Sequence, residues 1–147
     1  MAAINLPKKP MQLEHIGIAV DDIDAALDRF RRLFGAEPYK TEEVASEGVR
    51  THFLDAGGTK IELLEATTPE SPIARFIARQ GPGMHHLAFA VEDASAMHAH
   101  AAALGMRLLN DAPKPGADGK QIFFVHPKDT GGVLMEFCSD RDPRTGA

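Results

Sequence analysis

Tryptophan is absent from this 147-residue chain and tyrosine occurs once, which leaves little with which to stack nucleic-acid bases. Its one cysteine, Cys138, excludes an intrachain disulfide framework and any multi-cysteine metal site. No apolar run approaches the roughly 20 residues that span a bilayer. Residues 1–10 carry Lys8 and Lys9 but no following apolar stretch of signal-peptide type. Basic charge is scarce too: 16 Lys and Arg against 21 Asp and Glu give a formal net charge of −5. That balance repels a phosphate backbone or an anionic membrane. A soluble, cytoplasmic protein with neither a nucleic-acid nor a membrane partner is therefore expected. What is present is ordinary globular composition, 44% hydrophobic and 25% charged, with seven histidines.

The chain repeats itself. Leu13-Glu14-His15-Ile16-Gly17-Ile18-Ala19-Val20-Asp21-Asp22 returns as Met84-His85-His86-Leu87-Ala88-Phe89-Ala90-Val91-Glu92-Asp93. The offset that carries His15 onto His86 also carries Ile23, Ala26, Leu27, Phe30 and Leu33 onto Ala94, Met97, His98, Ala101 and Leu104. This spacing predicts a helix with one apolar face in each copy. Asp22 and Asp93 stand at the N-caps, and Gly35 and Gly105 where a left-handed residue closes a helix. Extended stretches are predicted at 37–43, 48–55 and 59–65, with Gly57-Gly58 as a hairpin turn, and again at 106–110, 120–126 and 131–138. Ile61-Glu62-Leu63-Leu64 matches Met135-Glu136-Phe137-Cys138. The reading is one domain, 1–147, made of two β-α-β-β-β modules at about 12–67 and 83–140. Residues 68–82 link them, with a short helix over Ser71–Gln80, and 141–147 form a loose tail. Neither module buries enough surface to stand comfortably alone, so the two pack together or across a dimer.

Parity along the strands sorts their side chains. Ile16, Ile18 and Val20 form the face under the helix, leaving His15, Gly17 and Ala19 on the other; Leu87, Phe89 and Val91 divide in the same way from His86, Ala88 and Ala90. A histidine followed by small residues leaves room, which suggests a cavity. Glu62 and Glu136 stand at matching positions of otherwise apolar strands. A single such glutamate is accounted for by an edge strand facing water, as for Glu65. Two glutamates and two histidines related by the repeat favour one divalent-metal centre of borderline to hard character. The remaining histidines suit other duties. His98 and His100 sit on the second helix, solvated or partly packed, and His85 points beneath the helix. His52 is structural or at the surface, and His126 either bonds a loop or touches a ligand. Cys138 reads as a small buried residue.

On these residues the chain resembles the vicinal oxygen chelate superfamily and, within it, the methylmalonyl-CoA epimerase family. The resemblance covers about 12–139, through His15–Val20, Thr59–Glu65, Ser71–Phe76, Gly83–Phe89, Pro115–Lys120 and His126–Glu136. It implies an α+β fold whose paired modules form a cupped mixed sheet around a metal held by His15, Glu62, His86 and Glu136. The ion expected is cobalt, with manganese, nickel, magnesium or zinc as substitutes. The implied activity is epimerisation of (R)- and (S)-methylmalonyl-CoA in propionate metabolism, by proton abstraction beside the thioester through a stabilised enolate. Glu136 is the base for one face. Some relatives carry a glutamate where this chain has Thr51; Glu47, taken to share strand parity with Thr51, is the substitute, and a water held by Thr51 is its rival. Lys114, Lys120 and Lys128 are candidates for the CoA phosphates, and a homodimer is the implied assembly. Competing readings are a glyoxalase I-type lactoylglutathione lyase, which uses the same ligand set, and a non-catalytic small-molecule-binding protein of the superfamily.

Overall fold

The computed structural model describes residues 11–141. Within them the chain groups into two compact units, His15–His85 and a second comprising 86–141 with 11–14. Each follows the β-α-β-β-β order expected from the repeat.

In the first unit, β1 (Gln12–Val20), α1 (Ile23–Phe34), β2 (Lys40–Val44), β3 (Val49–Ala56) and β4 (Thr59–Ala66) are followed by α2 (Pro72–Gln80). The strand order is β2-β3-β4-β1, with β1 and β4 parallel and the other pairs antiparallel. Asp22 caps α1 by accepting from the Ala25 amide at 3.0 Å, and Gly35 ends it at φ 64°, where a Cβ would be strained. Ala26, Leu27 and Phe30 of α1 pack on Ile18, Val20, Leu54, Ile61 and Leu63, the face that parity assigned to the helix. Leu33, expected on the same face, does not join them and is 74% exposed near the end of the helix. The opposite face is closed at one end, because Ile73, Phe76 and Ile77 of α2 cover Ala19, Val49 and Leu64. Gly57 and Gly58, at φ 75° and 103°, make the expected hairpin, and the Asp55 carboxylate accepts from the Gly58 amide.

In the second unit, β5 (Gly83–Ala90), α3 (Ala94–Ala103), β6 (Lys114–Pro115), β7 (Lys120–Val125) and β8 (Met135–Asp140) give the order β5-β8-β7-β6. β5 and β8 are parallel, while β7 is antiparallel to both its neighbours. Asp93 caps α3, whose Ala94, Met97 and Ala101 cover Phe123, Val125 and Phe137. Gly105 takes a left-handed φ of 80°, one residue past the cap at Leu104.

Two expected strands are corrected here. Residues 106–110 form no strand but a single bridge, Leu108 to Val125. Asn110 then supplies its side-chain oxygen to the Phe124 amide at 3.0 Å, in place of a backbone carbonyl, and Pro113 and Pro115 shorten the pairing that resumes at Lys114. The last strand begins at Met135 rather than 131, because Gly131 and Gly132 lie at φ 73° and 94° in a turn. Arg141 is tied back through its amide to the Gly119 carbonyl; the remainder of the expected loose tail, 142–147, and residues 1–10 lie outside the described residues. Among the described residues no helix is long and apolar enough to cross a membrane.

Gly48 carries a demand that spacing alone does not reveal. At φ 61° it follows a 3-10 turn, and a Cβ there would meet the Ser71 Cβ at 2.8 Å and Thr68 Oγ1 at 3.0 Å. Ser71 is the buried N-cap of α2, so Gly48 sets how closely the turn seats against that helix. Gly48→Ala is expected to cost about 2–4 kcal/mol through left-handed strain plus overpacking. Gly58→Ala meets open space and pays the backbone strain alone. Urea denaturation of the two variants checks the difference.

Candidate metal centre

The parallel pairing in each unit places a glutamate one strand away from a histidine. In the β1–β4 register Gly17 stands opposite Glu62, and His15 precedes Gly17 by two residues on the same face. In the β5–β8 register Ala88 stands opposite Glu136, with His86 two residues before it. The two arrangements are copies. Gly17 and Ala88 carry little or no side chain, so each carboxylate has room to lean toward its histidine. His15 Nδ1 lies 3.0 Å from Glu62 Oε2, and His86 Nε2 lies 3.5 Å from Glu136 Oε1. All four side chains are only 6% exposed.

A buried carboxylate costs several kcal/mol unless paired, hydrogen-bonded or metal-bound. The 3.5 Å separation is longer than an effective hydrogen bond, whereas two donors about 2.1 Å from one ion and at right angles stand about 3 Å apart. Imidazole and carboxylate are also the donor types that borderline to hard divalent ions accept. Each His–Glu pair therefore presents, at a spacing one ion can bridge, donors of the kind a divalent metal takes.

The surroundings add a residue that the pattern missed. Phe124 pairs with Glu136 across β7–β8 and sets its ring edge-on to His86, centroids 5.6 Å apart. Its signal was present in the alternation of β7, which puts Phe123 under α3 and Phe124 on the glutamate's face. In the first unit, Phe53 lies opposite Glu62 and Thr51 opposite Leu64, so both share the glutamate's face, and both are buried. Glu47 is placed differently from the parity expectation. It ends the 3-10 turn Ala45–Glu47, off the strand, and the left-handed Gly48 between it and Val49 breaks the alternation that would align it with Thr51.

Other residues settle into structural duties. His85 meets the Phe76 ring of α2 edge-on at 4.9 Å, rather than lying under its own module's helix. Burial and the charge of Arg79 lower its pKa to about 4, so it is neutral near pH 7. His52 lies between Thr41 Oγ1 and Glu65 Oε1, each at 3.3 Å, and Arg50 ties Glu65 to Glu43. His98 reaches the Asn110 carbonyl at 2.8 Å and packs on Phe123, so it is partly packed as anticipated; His100 is half-buried on α3. Cys138 is buried, with its sulfur 3.6 Å from the Phe89 carbonyl. Of the lysines, Lys120 pairs with Asp140 at 2.7 Å, Lys114 is half-buried on β6, and Lys128 is exposed in the 3-10 turn Pro127–Asp129. That turn is clamped. Asp129 accepts from the Arg107 amide at 2.8 Å and from its guanidinium at 3.0 and 2.9 Å.

A family model for the Glyoxalase/Bleomycin resistance protein/Dioxygenase superfamily matches residues 14–124. Over 127 residues the chain is 39% identical to an ethylmalonyl-CoA/methylmalonyl-CoA epimerase of Cereibacter sphaeroides, covering 85% of this chain and 95% of that one. A variant of Streptomyces coelicolor methylmalonyl-CoA epimerase, solved in complex with 2-nitronate-propionyl-CoA, matches with a TM-score of 0.83 at 36% identity, over 91% of this chain and 100% of that one. The Mycobacterium tuberculosis methylmalonyl-CoA epimerase structure matches at 0.84 and 33%, over 100% and 97%.

The Arg107 clamp has a measurable signature. Hydrogen bonds from the Arg107 side chain, then from its backbone amide, lower the Asp129 pKa from 3.8 to about 2. The sign follows: the clamp's contribution to stability is present above the ordinary carboxylate pKa and fades as pH falls through about 2. In Arg107→Ala the guanidinium bonds are lost while the backbone amide still donates, so the Asp129 carboxyl is expected to titrate higher than in the wild type but still below its ordinary value, followed by carbon-13 NMR.

Proposed function

The chain belongs to the glyoxalase/bleomycin resistance protein/dioxygenase superfamily and, within it, to the methylmalonyl-CoA epimerase family, and we propose that it interconverts (R)- and (S)-methylmalonyl-CoA. The observation that carries this reading is the buried His–Glu pair repeated at one register position in both units. His15, Glu62, His86 and Glu136 would together hold one divalent ion, cobalt in our reading, whose Lewis acidity would polarise the thioester and carboxylate oxygens flanking the alpha carbon.

The chain's own residues carry the proton. Inverting the alpha carbon needs a base on one face and an acid on the other, with no net oxidation and no carbon skeleton bond broken. Glu136 takes the first face: it is a buried carboxylate beside His86, whose ring meets that of Phe124, and burial shields a proton transfer from bulk water. For the opposite face the candidates remain Glu47 and a water held by Thr51. Thr51 is favoured by its place on the Glu62 face of β3, whereas Glu47 sits in the turn before that strand. Lys114, Lys120 and Lys128 are assigned to the CoA phosphates, Lys120 exchanging Asp140 for phosphate. The organisation we propose is one domain of modules 12–67 and 83–140 joined by 68–82, acting as a cytoplasmic homodimer in propionate metabolism.

Incubating one stereoisomer with metal-replete protein in deuterated water is expected to load deuterium at the alpha carbon; no exchange overturns the reading. Glu136→Gln is expected to lower kcat by roughly 10²–10⁴-fold with the fold intact. Thr51→Val against Glu47→Gln identifies the second group, since only the participating residue depresses exchange. A divalent ion at about a hundred times its Kd is expected to add about 2.7 kcal/mol to unfolding stability, a gain lost in His86→Ala.

A further inference from the structure

His126 caps a turn with one ring nitrogen and carries a second that the cap does not use. It follows the last residue of β7, Val125, whose side chain is buried under α3. Alternation therefore returns His126 to the face of Phe124, the residue that pairs with Glu136. The backbone holds it from two sides: its amide donates to the Arg107 carbonyl at 2.8 Å, and its own carbonyl accepts from the Asp129 amide at 3.0 Å. The bidentate Arg107–Asp129 pair locks those two anchors together. The ring is constrained as well. Nδ1 accepts from the Lys128 amide at 3.1 Å, which requires that nitrogen to be unprotonated and places the imidazole proton on Nε2.

A capping acceptor alone would be served by Asn, Asp or Ser, which are shorter and lose less entropy. Histidine differs by carrying a rigid donor on the far side of the ring. With Nδ1 held by the Lys128 amide, that donor is fixed at the strand end at no further cost of ordering. We propose that His126 Nε2–H is a substrate-binding donor that hydrogen-bonds an oxygen of the acyl-CoA thioester. The Arg107–Asp129 clamp acts as its positioning device. This inference rests on the acyl-CoA reading above and extends it to a residue with no part in the metal set or in the proton transfer.

Two amide variants separate the ring's two nitrogens. In His126→Asn the side-chain oxygen still reaches the Lys128 amide, so the cap survives and the distant donor is lost. In His126→Gln the longer amide restores a donor near the Nε2 position and gives up the cap. With metal-replete protein, His126→Asn is expected to weaken propionyl-CoA binding by calorimetry about tenfold and to raise KM to the same degree. Its kcat should stay within about twofold of wild type, and its melting temperature should be unchanged. His126→Gln is expected to bind within about threefold of wild type and to melt lower. If both variants bind like wild type, or Gln weakens binding more than Asn, His126 is only a cap and the inference falls while the epimerase reading stands. A wild-type protein that binds propionyl-CoA but exchanges no alpha proton overturns the epimerase reading and leaves the His126 comparison decisive by affinity. A wild-type protein that takes up no propionyl-CoA overturns both.

Discussion

The constraint on which the rest depends is the burial of a histidine beside a glutamate, made twice at one register position of a parallel strand pair. A carboxylate out of water is among the least tolerable groups in a small domain. Here the cost is met by local design. The parallel pairing of β1 with β4, and of β5 with β8, sets each glutamate opposite a residue with little or no side chain, and the histidine two positions earlier supplies the neighbour. Every larger feature serves that register. Helix α1 fills one face of the first unit with Ala26, Leu27 and Phe30, so the other face need not be packed with branched side chains. Helix α2 closes only its end, over Ala19 and Leu64. In the second unit α3 does the same for Phe123 and Val125, leaving Phe124 beside His86.

Much of this was legible in the sequence because it is periodic. Period-two alternation separated His15, Gly17 and Ala19 from Ile18 and Val20, and the duplication checked each assignment against its copy. The caps were legible for a different reason: Asp22, Asp93 and Gly35 are chosen by the backbone's own needs, which only a few residue types satisfy. The α+β fold of paired β-α-β-β-β units follows from those two signals.

What escaped the sequence was set by contacts without periodicity. Residues 106–110 look extended, yet Asn110 replaces a backbone acceptor with its side chain, and no spacing rule announces such a swap. Gly131 and Gly132 stand just before the apolar run Val133-Leu134-Met135 and take left-handed backbone, which delays β8. Gly48 misaligned Glu47: a strand extrapolated backwards through a residue at positive φ loses its parity, and the carboxylate comes to rest in the preceding turn. His85 was misplaced because α2, a linker by sequence, turns out to be the element its ring meets. In each case the deciding partner is distant in sequence or lies in the positive-φ region, where alternation carries no information.

The electrostatics of the proposed substrate make the same local logic necessary. A chain of formal charge −5 offers no long-range attraction to a polyanionic CoA thioester, so capture cannot depend on the field of the whole protein. It must come from groups already held in place. Lys120 is engaged by Asp140, so its charge reaches a phosphate only by exchange, at a net gain smaller than that of a solvated lysine. Lys128 is exposed, and any pairing it makes is screened by salt. A neutral donor escapes both limits: the His126 Nε2–H carries no charge to be paired within the protein and depends little on ionic strength. Its orientation is set by the turn that Arg107 and Asp129 secure, at a desolvation cost below that of a cation. In an acidic protein, recognition of an anion is better entrusted to preorganised dipoles at the site than to net charge around it.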